Sequence, residues 1–126
     1  SVIWLIHPRT KNIIERENIK VDFLVVDPVG YLEMIYLLKN CILVMTDSGG
    51  LQKEAFFFSK NCVTLRDETE WVELIEHEYN ILVGAKADKI KSGFLKMQKK
   101  NNNFNRNLYG NGSASAIIAK TLLDEH

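Results

Sequence analysis

The sequence predicts a doubly wound α/β fold, in which helices cover both faces of a parallel sheet. Short apolar segments alternate with helical patterns along the chain, which is typical of repeated strand–helix units. The apolar segments are nearly continuous runs rich in valine, isoleucine and leucine, as expected for strands buried on both faces. The five predicted strands are Val2–His7, Val21–Val26, Ile42–Thr46, Cys62–Leu65 and Ile81–Val83.

Helical patterns fill the intervals between these strands and follow the last one. In the second of them, Leu32, Ile35 and Leu38 recur at the spacing of one helix face. Two helices succeed the last strand, and Ser113 is placed to cap the second of these after a glycine-rich turn. The six predicted helices cover Thr10–Glu17, Tyr31–Lys39, Leu51–Ser59, Glu70–Glu76, Lys86–Lys100 and Ser113–Asp124.

The composition indicates one ordinary globular domain over residues 1–126. The chain has 126 residues, of which 46% are hydrophobic and 25% charged, and it shows neither a linker nor an internal repeat. It has no apolar run of roughly 18 residues, the length that a membrane helix needs, and no secretory signal is visible. Cys41 and Cys62 are typical of small core residues in a reducing compartment. We therefore expect a cytoplasmic protein without a membrane partner.

Neither a metal site nor a nucleic-acid site is predicted. His7, His77 and His126 are far apart in the sequence and lack metal-ligand spacing, so no metal and no other cofactor is expected. The 16 basic and 16 acidic residues balance, although a basic run extends from Lys86 to Arg106. Nucleic-acid binders usually carry a net positive charge, and this run has no interleaved aromatic residues on its basic face. It is interpreted as a solvated helix face.

The strongest functional signal is the junction that follows the third predicted strand. That strand leads into Asp47-Ser48-Gly49-Gly50, and a helix begins directly afterwards. In open parallel sheets, ligands bind at the carboxyl ends of the strands. Two glycines let a ligand approach the backbone closely, and the N–H groups of a helix start favour a phosphate. The alternative is a tight turn in which Ser48 or Asp47 only caps the helix, and spacing alone leaves both interpretations open.

Three side chains elsewhere point to the same ligand. Glu54 lies about one turn into the helix after the glycines, where its carboxylate could accept hydrogen bonds from the vicinal hydroxyls of a ribose. His7 follows the first strand, and Arg66 follows the fourth, where a guanidinium could bind a phosphate or a sugar hydroxyl. The alternatives are a solvated loop around His7 and an ion pair of Arg66 with Asp67 or Glu70.

Together these motifs resemble the C-terminal domain of the non-hydrolysing UDP-N-acetylglucosamine 2-epimerases over essentially the whole chain. The segment Thr46–Ala55, Thr-Asp-Ser-Gly-Gly-Leu-Gln-Lys-Glu-Ala, is highly specific for this family. The other matching segments are His7–Lys11, Asp27–Glu33 with Met34, Leu65–Glu73, Asn80–Gly84 and Tyr109–Gly112. The resemblance implies a Rossmann-like domain of the GT-B architecture and an isomerase that acts on a UDP-sugar.

The resemblance also implies roles for the residues around the glycine turn. Ser48, Gly49 and Gly50 would hold the diphosphate of UDP. Glu54 would bind the uridine ribose, and Arg66 would lie near the phosphates or the sugar. The segment Trp71-Val72 resembles the branch that includes epimerases of UDP-2,3-diacetamido uronic acids, so the sugar is either N-acetylglucosamine or such a uronic acid.

Two further roles are implied for residues that precede the turn. Met34 matches a position beside the uracil, where an aromatic residue is common in the family and where a thioether can still cover a base. His7 matches a strand-end histidine that in some members touches a second, regulatory UDP-sugar.

The resemblance implies that none of the catalytic residues lies in this chain. In the family, the catalytic carboxylates belong to the N-terminal domain, and a catalytic histidine lies upstream of the position of His7. The chain is therefore expected to lack the N-terminal domain and the first strand of its own domain. The whole enzyme is expected to be a homodimer that inverts C2 of the sugar, by elimination of UDP to a glycal and re-addition at the other face, for the synthesis of surface polysaccharide sugars.

Two functions other than that of a 2-epimerase remain open. A GT-B glycosyltransferase would use the same nucleotide-binding half, although neither position 46 nor position 62 holds the glutamate that many retaining members pair with the helix glutamate. A stand-alone nucleotide-binding module is the other alternative.

The missing strand also predicts a gap in the sheet. This gap would be closed either by direct pairing of the first and third strands or by association with another copy.

Overall fold

The computed structural model describes residues 1–105 and 107–124 and forms two compact units, Ser1–Asn40 and Cys41–His126. Strands and helices alternate within both units, as the sequence predicts. Arg106, at the end of the basic run, and His126 lie outside the described residues. In the described ranges, no helix is long and apolar enough to cross a membrane.

The first unit consists of two strand–helix pairs. Its elements are β1 (Ile3–Leu5), α1 (Pro8–Arg16), β2 (Leu24–Val26) and α2 (Tyr31–Asn40). β1 and β2 pair in parallel, with Ile3 opposite Leu24 and Leu5 opposite Val26. The alternation of strands and helices along the sequence predicts this parallel orientation.

Helix α1 begins two residues earlier than predicted, at Pro8. His7 is its N-cap, and the His7 Nδ1 accepts a hydrogen bond from the backbone N–H of Arg9 at 3.2 Å. Pro8 fits the first turn because the N–H that it lacks would have no partner there. The residues after β1 therefore start a helix rather than form a loop, and His7 stays exposed at the end of the strand.

The described residues of the second unit form a three-stranded sheet and four helices. Its elements are β3 (Leu43–Thr46), α3 (Gly49–Phe57), β4 (Asn61–Thr64), α4 (Val72–Glu76), β5 (Asn80–Leu82), α5 (Ala87–Gln98) and α6 (Ala114–Asp124). The strands run in the order β3-β4-β5 and all pair in parallel. Val44 lies opposite Cys62, and Thr64 lies opposite Leu82, so the carboxyl ends of the three strands meet at one edge.

Helices cover both faces of this sheet. Val63, Val83 and Met97 form a buried cluster between the sheet and α5. Side chains of neighbouring strand positions alternate between faces, and Asn80 points to the opposite side, where it reaches Gln52 of α3. The second unit thus has the layer arrangement that the sequence predicts.

The described strands form two sheets rather than one continuous sheet. β1 pairs with β2, and β3 pairs with β4. The direct pairing of the first and third strands, one of the two expected ways to close the gap, is therefore wrong. Apolar runs identify strands, but they do not determine which strands become neighbours. Association with another copy stays a prediction.

Candidate functional site

The turn between β3 and α3 forms the centre of the candidate site. β3 ends at Thr46, and α3 begins at Gly49 with Ser48 as its N-cap. The Ser48 Oγ accepts a hydrogen bond from the N–H of Leu51 at 3.5 Å, and the N–H of Ser48 donates to the Oγ1 of buried Thr46 at 3.0 Å. Of the two caps that the sequence allows, Ser48 is the one that forms.

The two glycines that begin α3 present backbone rather than side chains. The first N–H groups of a helix have no carbonyl one turn before them, and the partial positive charge at this end favours an anion. A Cβ atom at Gly50 would meet no atom within 4 Å, and Gly50 is exposed. A phosphate therefore has an open approach to the backbone at Gly50.

Arg66 and Glu70 lie beside Gly49. The Glu70 carboxylate takes the space that a Cβ atom at position 49 would need, and the Arg66 Nη1 lies 3.8 Å from the same point. The two side chains form an ion pair, with Nη1 3.2 Å from the Glu70 Oε2. Of the two ion pairs that the sequence leaves open for Arg66, the one with Glu70 forms. The Arg66 side chain is 34% exposed, so a guanidinium is accessible next to the glycine turn.

Glu54 lies four residues after Gly50, on the same face of α3. Its side chain is half-buried and, among the residues that the structure describes, forms no ion pair. The adjacent Lys53 is engaged elsewhere, since its Nζ lies 4.6 Å from the ring centre of Trp71 and 4.3 Å from that of Tyr109. The Glu54 carboxylate is therefore available as an acceptor.

His7 and Met34 belong to the first unit. His7 uses its Nδ1 to cap α1, and Met34 is half-buried on α2, where its N–H donates to the carbonyl of Gly30 at 3.0 Å. The other residues predicted for the site lie in the second unit: Ser48, Gly49, Gly50, Glu54 and Arg66.

A buried polar network behind the glycine turn is not predicted by the motifs. The Gln52 Nε2 donates to the carbonyl of Ser48 at 3.2 Å, and the Gln52 Oε1 accepts from the Thr69 hydroxyl at 2.7 Å and from the Asn80 Nδ2 at 3.0 Å. The Asn80 Oδ1 in turn accepts from the Thr64 hydroxyl at 2.9 Å. Gln52, Thr64 and Asn80 are completely buried. The signals that could have found this network are a glutamine among the apolar positions of α3 and an asparagine in a strand.

Trp71 makes a second contact that the motifs do not predict. Its indole Nε1 donates to the carbonyl of Gly49 at 2.8 Å, and its backbone N–H donates to the Thr69 Oγ1 at 3.1 Å. The indole packs edge-on against Tyr109, with ring centres 5.9 Å apart. Trp71 therefore joins the loop after β4 to the glycine turn.

Neither Cys62 nor Tyr109 adds a nucleophile to the site, because the pKa of each group is raised. Burial raises the pKa of the Cys62 thiol to about 12, which keeps it protonated and unreactive near neutral pH. Burial, with the neighbouring Glu73, also raises the pKa of Tyr109. In the described part of the chain, no three His, Cys, Asp or Glu side chains lie close enough to hold a metal ion. What the turn offers is a set of hydrogen-bond donors and a cation for an anionic ligand.

Comparisons with known proteins agree on one family. The model of the family described as UDP-N-acetylglucosamine 2-epimerase matches residues 1–123. The UDP-2,3-diacetamido-2,3-dideoxy-D-glucuronate 2-epimerase of Pseudomonas aeruginosa is 53% identical over 121 residues, which cover 96% of this chain and 34% of that protein. The UDP-N-acetylglucosamine 2-epimerase of Methanocaldococcus jannaschii is 39% identical over 128 residues, with 97% and 35% covered. The chain spans about a third of the length of these relatives.

Solved structures show the same similarity in three dimensions. The crystal structure of the Methanocaldococcus jannaschii UDP-GlcNAc 2-epimerase in complex with UDP-GlcNAc and UDP superposes with a TM-score of 0.83 at 38% identity, covering 98% of this chain and 35% of that one. The Neisseria meningitidis enzyme bound to UDP-GlcNAc gives a TM-score of 0.68 at 29% identity, with 98% and 36% covered. These similarities confirm the predicted Rossmann-like α/β fold.

Proposed function

Because this chain belongs to the UDP-N-acetylglucosamine 2-epimerase family, we propose that the protein containing it is an isomerase that inverts C2 of a UDP-linked, N-acetylated sugar. The observation that carries the proposal is the strand-end turn of Ser48, Gly49 and Gly50 with Arg66 beside it. A helix N-terminus and an accessible guanidinium suit the two phosphates of UDP.

In the proposed complex, the diphosphate lies over the glycine turn. The N–H groups of Gly49 and Gly50 and the hydroxyl of Ser48 donate to it, and Arg66 exchanges the Glu70 carboxylate for a phosphate oxygen. Glu54 accepts hydrogen bonds from the ribose hydroxyls, because it lies on the helix face that continues from Gly50.

The roles of two residues in the first unit are proposed from the family resemblance alone. In that proposal, Met34 covers the uracil and His7 contacts a second, regulatory UDP-sugar.

The proposed reaction removes the C2 proton and breaks the bond from C1 to the UDP oxygen, which gives a glycal and free UDP. UDP then adds back at C1 while a proton adds to C2 from the opposite face, so that C2 is inverted. Negative charge develops on the diphosphate as the bond from C1 to oxygen breaks. Donors that are already aimed at this charge lower the energy of the transition state. In this proposal the residues of the glycine turn and Arg66 stabilise the leaving group, whereas the groups that move the C2 proton belong to the rest of the protein.

We propose the UDP-linked 2,3-diacetamido uronic acid as the first candidate substrate. The relative that is 53% identical is named as the epimerase of UDP-2,3-diacetamido-2,3-dideoxy-D-glucuronate, and the segment Trp71-Val72 resembles that branch. UDP-N-acetylglucosamine is the alternative substrate. The proposal further includes a cytoplasmic homodimer that supplies sugars for surface polysaccharides.

Exchange of the C2 hydrogen in deuterated water tests the reaction. The full-length protein is incubated with each of the two UDP-sugars, and NMR follows loss of the C2 proton signal and appearance of the epimer. We expect both changes with one of the substrates. UDP-glucose, which has the same nucleotide but no acetamido group, serves as the matched control and should remain unlabelled.

Two outcomes would contradict the proposal. Absence of exchange with both acetamido sugars would show that the protein is not such an epimerase. Transfer of the sugar to an acceptor without exchange at C2 would favour the glycosyltransferase alternative.

A further inference from the structure

Two side chains to which the proposed function gives no role hold the carbonyl groups of the glycine turn. The Gln52 Nε2 donates to the carbonyl of Ser48, and the Trp71 Nε1 donates to the carbonyl of Gly49. These carbonyls belong to successive peptide groups. The N–H groups of the same two peptides are those of Gly49 and Gly50, which face the proposed diphosphate.

Holding a carbonyl also holds the N–H of its peptide group. In a trans peptide the two point in opposite directions within one plane, and the described residues contain no cis peptide. A glycine backbone has more conformational freedom than that of any other residue. Contacts from outside the turn therefore help to fix the direction of these N–H groups, in addition to the backbone hydrogen bonds at the start of α3.

The orientation of Gln52 is determined by its other partners. Its Oε1 accepts hydrogen bonds from the Thr69 hydroxyl and the Asn80 Nδ2. A reversed amide would place its NH₂ group against that of Asn80 and its oxygen against the carbonyl of Ser48, so only the observed orientation satisfies every group. Because Gln52 is completely buried, no water replaces these contacts.

Trp71 is also fixed by two kinds of contact, a backbone hydrogen bond and packing of its ring. Its backbone N–H donates to the Thr69 Oγ1, and its ring packs against Tyr109 and under the Lys53 Nζ. The hydroxyl of Thr69 thus touches both Gln52 and Trp71. The two donors form one connected support behind the turn.

We propose that Trp71 and Gln52 are positioning residues that aim the N–H groups of Gly49 and Gly50 at the diphosphate. The inference rests on the proposed function, since it requires that this turn binds the diphosphate of UDP. A hydrogen bond accepted by a carbonyl polarises its peptide group and strengthens the N–H of that group as a donor. Removing the support therefore weakens binding of the diphosphate and spares binding of the nucleoside.

The indole N–H can be removed alone. Site-specific incorporation of β-(3-benzothienyl)alanine at position 71 of the full-length protein replaces the N–H by sulfur and keeps the ring contacts. Trp71→Phe is a second variant that also removes the donor. Trp4→Phe is the matched control, because Trp4 is the other tryptophan of the chain and lies in β1. Calorimetry measures the affinity for UDP, and ligand-observed NMR measures that for uridine.

Both changes at position 71 should weaken UDP binding by about three- to ten-fold, the range for the loss of one hydrogen bond to a neutral acceptor. The affinity for uridine should stay within about two-fold, and Trp4→Phe should leave both affinities unchanged. Equal losses for UDP and uridine, or no loss for either, would overturn the positioning role while leaving the proposed function intact. If the unsubstituted protein bound UDP no more tightly than uridine, the turn would not be a diphosphate site, and both proposals would fail.

Discussion

The Glu70 carboxylate lies against the Cα of Gly49, in the space that a β-carbon would occupy, and it pairs there with Arg66 at 3.2 Å. A carboxylate thus rests beside a helix start where an anion is favoured. The ion pair keeps the Arg66 guanidinium next to the glycine turn. Because a side chain at position 49 would need the space that Glu70 occupies, the energetic effect of a substitution at Gly49 should depend on whether Glu70 is present.

The dependence between these two residues can be measured with a double-mutant cycle. Gly49→Ala should lower the free energy of unfolding by about 0.5–1 kcal/mol, because the methyl group displaces the Glu70 side chain from its partly exposed ion pair. In a Glu70→Ala background, the same substitution should cost nothing or stabilise slightly, since alanine favours a helix over glycine. Urea unfolding of the four proteins gives the coupling. Additive effects would show that the two side chains do not compete for this space.

The availability of the Glu54 carboxylate predicts a specific loss of nucleotide affinity. A carboxylate that accepts from ribose hydroxyls forms charge-assisted hydrogen bonds of about 1.5–3 kcal/mol. Glu54→Ala should therefore weaken UDP binding by about ten-fold or more in calorimetry. Glu76→Ala, an exposed glutamate on α4, is the control and should leave the affinity unchanged. An affinity that does not respond to Glu54→Ala would remove this residue from the ribose site.

Gly93 lets α5 approach the sheet closely. A Cβ atom there would lie 2.8 Å from the Val83 Cγ1 and 3.1 Å from the Ile81 Cδ1, both of which pack in the core on that face. Gly93→Ala should lower the free energy of unfolding by about 1–3 kcal/mol through overpacking. The neighbouring exposed Ser92, changed to alanine, should stay within about 0.5 kcal/mol. A neutral Gly93→Ala would mean that α5 can move away from the sheet at no cost.

The buried thiol of Cys62 predicts a loss of stability at high pH. Its pKa rises from 9.0 to about 12 in the folded protein, mainly through burial. A group whose pKa is raised on folding gives its full stabilisation below the unfolded value and loses it as the pH rises towards the folded value. Cys62→Ala leaves a small cavity, but its stability should fall less between pH 8 and pH 11 than that of the unsubstituted protein. Parallel pH profiles of unfolding for the two proteins would contradict this prediction.

The order of strands and helices could be read from the sequence because each element carries its own apolar pattern. The element boundaries were less predictable where a polar side chain determines them. β4 begins at Asn61, whose Nδ2 donates to the carbonyls of Met97 and Lys100, and β5 begins at Asn80. Asparagine is unfavourable in strands, so a pattern of apolar residues starts each strand one residue late.

The candidate site also has one part that the sequence predicts and one part that it does not. The glycine turn and the residues beside it were predictable because a short motif specifies them. The support behind the turn was not, since Gln52, Thr69, Trp71 and Asn80 lie on separate segments and meet only in the folded unit. The strand neighbours were also beyond prediction, because pairing depends on contacts distant in sequence.

The two-stranded sheet of the first unit has a kinetic consequence. Two strands by themselves are marginal in water, and each of β1 and β2 has three residues. In the second unit β4 pairs on both sides, with β3 and with β5. In hydrogen–deuterium exchange, the amide of Ile6, which donates to Val26 at the end of the β1–β2 pair, should therefore lose its protection through a smaller, local opening. The amides of β4 should exchange only when the whole second unit unfolds. Among the described residues, the slowest amide protons will therefore report on the sheet that carries the glycine turn.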